Sequence, residues 1–78
     1  MFSELKLYDD AFADYDKALV LFPNFAEAYA NRGFTHLLQG RSTEAEKDFT
    51  QALKIDPSLK TAMNKRVAQI KEQLAMKQ

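Results

Sequence analysis

Histidine and cysteine, side chains common in nucleophilic and zinc sites, are nearly absent from this chain. His36 is the single histidine, and there is no cysteine. A nucleophilic centre needs a base beside its nucleophile, and a metal centre needs several convergent ligands, so one histidine supplies neither. We therefore expect no catalytic residue, no metal ligand and no cofactor, and we predict a packing role for His36.

The densest group of oxygen ligands is acidic and lies near the start of the chain. A calcium loop alternates its ligands around a glycine, and this segment has neither that spacing nor the glycine. Two of its carboxylates would instead interact favourably with the N-terminal dipole of a helix. The pattern predicts a solvated helix face that carries Asp9, Asp10, Asp14 and Asp16.

Length and composition favour one small helical domain. The chain has 78 residues, of which 46% are hydrophobic, and only two glycines and two prolines. A net charge of zero argues against nucleic acid as the partner, because phosphate binding relies on a basic excess. No apolar run approaches the roughly 18 residues of a membrane span, and no signal peptide is evident. We expect a cytoplasmic protein with no membrane contact.

Charge is distributed unevenly along the chain. Residues 1–22 carry a net charge of −3, whereas residues 60–78 carry +4. One interpretation is that both segments are ordinary solvated helix faces. The other is that unlike ends attract each other in head-to-tail stacking of copies.

Two prolines divide the chain into thirds. Pro23 and Pro57 each end a helix, and the asparagine or serine that follows can cap the next one. Asn24 with Glu27, and Thr43 with Glu46, also fit capping boxes, and Gly40 suits the left-handed residue after a helix. Together these signals predict helices at 4–21, 25–39, 43–55 and 59–75.

Apolar residues recur every three or four positions in the first and last predicted helices, which predicts a buried stripe on each. The first stripe is Leu5, Tyr8, Phe12, Tyr15, Leu19 and Phe22, and the last is Leu59, Met63, Val67, Ile70 and Leu74. The last helix is polar opposite its stripe, which is typical of a helix with one face in water. We predict that it caps the fold.

An internal repeat has a period of 34 residues, the separation of the two prolines. Small, acidic and aromatic positions recur at the same offset, which is typical of stacked helical hairpins. The matched pairs are Ala11 with Ala45, Asp14 with Asp48, Tyr15 with Phe49, Ala18 with Ala52, Leu19 with Leu53 and Ala28 with Ala62.

At residues 26–59 the chain resembles the tetratricopeptide repeat family. The resemblance rests on Tyr29, Gly33, His36 (usually tyrosine), Ala45, Phe49, Ala52 and Pro57. It implies an all-α fold of antiparallel helical hairpins stacked as a short solenoid of about four helices. The expected parts are a half repeat at 1–24, a complete repeat at 25–58 and a capping helix at 59–78.

Small residues in the repeat should mark close helix contacts. Gly33 and Ala45 are expected where the two helices of the hairpin touch, and Ala52 where the next helix packs. Arg32 and Ser42 depart from the leucine and tyrosine that the family prefers, so we expect a looser hairpin.

The resemblance also implies a function, which is non-enzymatic binding of a peptide segment or partner helix in a concave groove. Asn31 lies in "YANRG", which is similar to the segment of chaperone-binding members that clamps a terminal carboxylate. Lys65 matches one basic position of that clamp, while Thr61 replaces another. The implied groove residues are Glu27, Ala30, Asn31, Phe34, Leu38, Asn64, Lys65 and Ala68.

The first helix raises an alternative function, because it lacks a hairpin partner and is apolar nearly all round. Three explanations remain open: the chain is part of a longer array, residues 1–7 cover this helix, or copies associate through it. In the last case the protein is a self-assembling structural unit and a homo-oligomer. The predicted self-association residues are Tyr8, Phe12, Tyr15, Val20 and Phe22.

Overall fold

Four α-helices joined by short turns make up the part of the chain that the structure describes. The computed structural model describes residues 2–76, with side chains from Leu7 onward, and contains no strand in that part. The helices are α1 (Phe2–Leu21), α2 (Ala26–Leu38), α3 (Ser42–Ile55) and α4 (Lys60–Met76), with a 3₁₀ turn at Pro57–Leu59. The predicted all-α class and the number of helices are confirmed.

The closest helix contact joins α2 to α3. A Cβ atom at Gly33 would lie 2.5 Å from Cε1 of Phe49 and 3.2 Å from the carbonyl oxygen of Ala45, so only glycine fits without displacement. Ala45 is fully buried on the opposite side of this contact. The prediction that Gly33 and Ala45 mark the contact within the hairpin is confirmed.

Two small clusters form the core, and α4 contributes to both. One contains Ala30, Ala52 and Met63, and the other contains Leu37, Ala45 and Ile70. Ala52 is fully buried beneath α4, as its small size predicted. The partly buried Val67 and Leu74 complete the apolar stripe of α4, while the opposite side of this helix is exposed.

The turn after α2 follows its sequence signal. Gly40 has a φ of +80°, in the left-handed region that favours glycine. Its backbone N–H donates to the carbonyl oxygen of Leu37 at 3.0 Å, and that of Arg41 donates to the carbonyl oxygen of His36 at 2.9 Å. These bonds use carbonyl groups that the end of a helix leaves without partners.

The helix starts differ from the predicted capping boxes. Phe25 and Arg41 occupy the N-cap positions of α2 and α3, and neither makes a side-chain capping bond. The Asn24–Glu27 and Thr43–Glu46 predictions were therefore wrong. Asn24 lies one residue too early, whereas Thr43 already lies inside the first turn of α3.

The 3₁₀ turn that precedes the last helix has an unexpected cap. Asp56, rather than Ser58, supplies the side-chain acceptor: its Oδ1 accepts a bond of 3.1 Å from the backbone N–H of Ser58. The 3₁₀ turn follows, so α4 begins at Lys60, one residue later than predicted.

The Gly33→Ala variant tests the close contact, because helix propensity and overpacking change the stability in opposite directions. Helix propensity alone would make alanine more stable by about 1 kcal/mol. We expect net destabilisation of about 1 kcal/mol instead, because overpacking against Phe49 costs roughly 1–3 kcal/mol. Urea unfolding followed by circular dichroism measures the difference. The exposed Ala13→Gly variant calibrates the propensity effect, and a more stable Gly33→Ala variant would contradict the contact.

Candidate functional site

A groove lies between α2 and α4, where the two helices pack side by side. It encloses about 310 Å³ and has an apolar floor with polar side chains at its edges. Helix α2 contributes Glu27, Ala30, Asn31 and Phe34, and the segment around the start of α4 contributes Leu59, Ala62, Met63 and Arg66.

Four of the eight predicted groove residues line this cavity, and all four come from α2. Leu38 is half-buried and packs against the second core cluster instead. Asn64, Lys65 and Ala68 are exposed on α4 but do not line the cavity.

The groove residues that were not predicted are Leu59, Ala62, Met63 and Arg66. Arg66 is the charged member of this set. It lies three residues after the buried Met63, and residues three apart share a helix face. That spacing could have identified it. The family pattern implied Lys65 instead, but successive residues of an α-helix point about 100° apart, and Lys65 does not line the cavity.

Three helices are connected by the guanidinium of Arg32. Its Nε and Nη2 atoms donate to the two carboxylate oxygens of Asp48 in α3, at 3.0 and 2.8 Å, and Nη1 donates to Oδ1 of Asp16 in α1 at 2.8 Å. The guanidinium carbon also lies 5.4 Å from the ring centroid of Tyr29. Arg32 was expected to loosen the hairpin. It instead connects α2 to both α3 and α1.

The charge on Arg32 is stabilised by these bonds. Hydrogen bonding to Asp48 raises the pKa of Arg32 above its ordinary value, burial opposes this rise, and the bond to Asp16 adds to it. The guanidinium therefore stays protonated at all working pH values. Asp48 is buried, so its carboxylate depends on this partner.

The ring of His36 packs within the fold. It covers Phe12 of α1, which was predicted to lie on an uncovered surface. Its ring centroid lies 4.5 Å from that of Phe12 in α1. Its Nε2 lies 3.7 Å from Oδ2 of Asp48, and its buried Nδ1 has no hydrogen-bond partner among the described residues. The expectation that Phe12 belongs to a bare surface was wrong, because this side of α1 packs against α2.

The exposed apolar surface is confined mainly to the end of α1 and the following turn. Val20 is 79% exposed and Phe22 is 63% exposed, and Leu21 and Phe25 are also exposed. The rings of Phe22 and Phe25 meet edge to face, with centroids 6.3 Å apart. An open cavity of about 580 Å³ adjoins them. The remaining predicted self-association residues, Tyr8 and Tyr15, are half-buried.

Among the described residues, no group of three or more histidine, cysteine or acidic side chains has the arrangement of a metal site. None of the described helices has both the length and the apolar character needed to cross a membrane.

Family comparisons agree with the hairpin geometry. A model described as "Tetratricopeptide repeat" matches residues 26–59, which contain the contact between Gly33 and Phe49. A second model, "TPR repeat", matches residues 2–40, half of the chain. The chain belongs to the tetratricopeptide repeat family. No solved structure matches it.

Several longer proteins are similar in sequence to this tetratricopeptide repeat chain. Mouse DnaJ homolog subfamily C member 7 is 40% identical over 68% of the chain and 11% of its own length. Small glutamine-rich tetratricopeptide repeat-containing protein 2 of Mycosarcoma maydis is 32% identical over 95% of the chain and 21% of its length. Heat shock protein STI1 of Saccharomyces cerevisiae is 33% identical over 78% of the chain and 10% of its length.

The chain therefore spans between 10% and 21% of these relatives. Repeats of this family are protein–protein interaction modules, and the four helices have that architecture.

Arg32→Leu, which introduces the leucine that the family prefers, tests the ionic connection between helices. We expect a loss of about 3 kcal/mol in unfolding free energy, because removal of one partner leaves the buried Asp48 carboxylate unpaired. Adding Asp48→Ala should restore most of it. Chemical unfolding provides the values.

Lys47→Ala is the control, since its pair with Glu44 is exposed and should contribute less than about 1 kcal/mol. An Arg32→Leu variant as stable as the parent would show that the three-helix network contributes nothing.

Proposed function

We propose that this chain is a non-enzymatic module that binds a protein segment in the groove between α2 and α4. The observation that supports this function is the groove itself, in which an apolar floor is bordered by an amide and by charges of both signs. Ligand sites commonly combine an apolar surface with a few polar groups that fix orientation. We also propose the division of the chain into a half repeat ending at residue 24, a complete repeat ending at residue 58 and a capping helix.

The lining side chains indicate how a segment would bind. An apolar side chain of the ligand would pack on Phe34 and Met63 at the floor. Asn31 and Arg66 would donate hydrogen bonds to backbone carbonyl groups or to a carboxylate, and a charged acceptor strengthens such bonds. Glu27 would accept from an amide or a basic group. The arrangement suits an extended segment or one face of a helix.

Two relatives suggest the first ligands to try. One is named heat shock protein STI1, and another, from Triticum aestivum, is named Hsp70-Hsp90 organizing protein and is 37% identical over 65% of this chain. We therefore propose the C-terminal segments of Hsp70 and Hsp90 as probes. Asn31 favours recognition of their terminal carboxylate, whereas Thr61 provides no cation where the family clamp has one.

Paired variants test the groove. With a fluorescent C-terminal peptide of Hsp70 or Hsp90, we expect Asn31→Ala and Arg66→Gln each to weaken binding about 10-fold, the effect of losing roughly 1.4 kcal/mol. Fluorescence anisotropy measures the affinities. Asn64→Ala and Lys65→Gln are the matched controls and should change affinity less than about twofold, since these residues lie outside the cavity.

The same titration distinguishes the possible outcomes. Amidation of the peptide terminus shows whether a carboxylate is recognised. Equal losses in the Asn31 and Asn64 variants would place the ligand outside the groove, and loss only in the Lys65 variant would favour the family clamp position. If neither peptide binds, Hsp70 and Hsp90 are excluded as partners through this segment.

Self-association through the end of α1 is the second candidate function. The favouring observation is the large exposure of Val20 and Phe22 beside an open apolar cavity. The equivalent positions in the complete repeat carry Lys54 and Asp56. This surface is therefore more apolar than its counterpart within the same chain, as expected of a contact surface.

Val20→Lys combined with Phe22→Asp introduces the residues of the complete repeat and so tests this candidate. If copies associate through the patch, light scattering should show a concentration-dependent oligomer in the parent chain and a monomer in the double variant. Lys17→Ala, at an exposed position of the same helix, is the control and should not alter the mass. A parent chain that is monomeric at all concentrations would exclude this function.

A further inference from the structure

Helices α2 and α4 run in the same direction on the two sides of the groove. Ala30 of α2 shares one core cluster with Met63 of α4. Seven residues later in each helix, Leu37 shares the other cluster with Ile70. Both pairs are 33 residues apart in sequence, so a residue of α2 lies level with the residue 33 positions later in α4. This register fixes where each polar side chain lies along the groove.

Two opposite charges lie at different levels of the groove. Glu27 is in the first turn of α2, whereas Arg66 of α4 is level with Gly33 of α2. About six residues of helix, at 1.5 Å per residue, separate the two levels by about 9 Å. The acidic end of the groove is therefore the end at which both helices begin, and the basic end lies further along them.

Both charges are free to contact a ligand. Glu27 and Arg66 line the cavity with exposed side chains, and neither makes an ion pair with another side chain within residues 7–76. Ala30 and Met63 lie level with each other midway between the two charges and form an apolar floor there. A segment that lies along the groove therefore meets an acid, an apolar surface and a base in that order.

We propose that the groove selects an extended segment with opposite charges on the two sides of an apolar residue. The basic side chain of the ligand pairs with Glu27, the apolar side chain packs on Met63, and the acidic side chain pairs with Arg66. Since an extended chain rises about 3.3 Å per residue, the two charged residues of the ligand are about three positions apart. This inference rests on the proposed function and adds the charge pattern of the ligand to it.

Segments whose charges are all of one sign are disfavoured by the same geometry. An acidic group that pairs with Arg66 gains an attraction, but a second acidic group about three residues away approaches Glu27, and like charges repel. A segment with two basic groups meets the equivalent repulsion at Arg66. The pattern needs no chain terminus, so an internal segment of a partner protein satisfies both ends of the groove.

Three labelled peptides with blocked ends test the preference. Their central sequences are Lys-Ala-Leu-Glu, Glu-Ala-Leu-Glu and Lys-Ala-Leu-Lys, flanked by the same serine and glycine residues. Fluorescence anisotropy at low salt should show that the first binds about fivefold more tightly than either of the others, the effect of one favourable surface ion pair. Salt at about 0.5 M should reduce this difference, because exposed charges are then screened.

Charge exchange in the chain assigns the preference to the two residues. Glu27→Lys should transfer it to the peptide with two glutamates, and Arg66→Glu should transfer it to the peptide with two lysines, because each variant makes both ends of the groove the same sign. Glu46→Lys and Arg41→Glu make the same changes at exposed positions outside the cavity and should leave the preference unaltered. Circular dichroism verifies that each variant keeps its helices.

The outcomes separate this inference from the proposed function. Equal affinity for the three peptides would overturn the inference, and so would a preference that survives both charge exchanges in the groove. In either case, binding that is weakened by Asn31→Ala would still support the groove as the binding site. If none of the three peptides binds, selection by opposite charges is wrong, whatever the result with the Hsp70 and Hsp90 peptides.

Discussion

The close approach of α2 to α3 at Gly33 is the constraint on which the other contacts depend. Since no Cβ separates the helices there, the ring of Phe49 and the backbone at Ala45 lie directly against α2. This contact brings Arg32 to the buried Asp48. It also leaves Ala30 and Ala52 together on the side that Met63 of α4 covers. The groove exists because α4 can pack beside α2 on that side.

Arg32 links this unit to α1. A leucine at this position would supply apolar contact alone, whereas arginine bonds to carboxylates on both neighbouring helices. Helix α1 adds the packing of Phe12 on His36, so its attachment is partly ionic and partly aromatic. The remainder of α1 carries exposed acidic residues, and its end carries the exposed apolar residues of the proposed self-association surface.

Periodicity was sufficient to predict the helices, because apolar residues recur at fixed spacing, and the family resemblance predicted the roles of Gly33, Ala45 and Ala52. Details that depend on a single residue were not predicted. The N-caps lie one residue after Asn24 and two residues before Thr43, and Arg66 rather than its neighbour Lys65 lines the groove. The pairing of Arg32 requires three helices at once, and no local pattern indicates it.

The central claim is that a protein segment binds between α2 and α4. Nuclear magnetic resonance of the ¹⁵N-labelled chain, titrated with the Hsp70 or Hsp90 peptide that binds it, tests this claim most directly. The account predicts that the largest shift changes occur in the backbone amides of residues 27–34 and 59–66 and in the side-chain amide of Asn31. Changes confined to residues 7–25, with the groove amides unmoved, would contradict it.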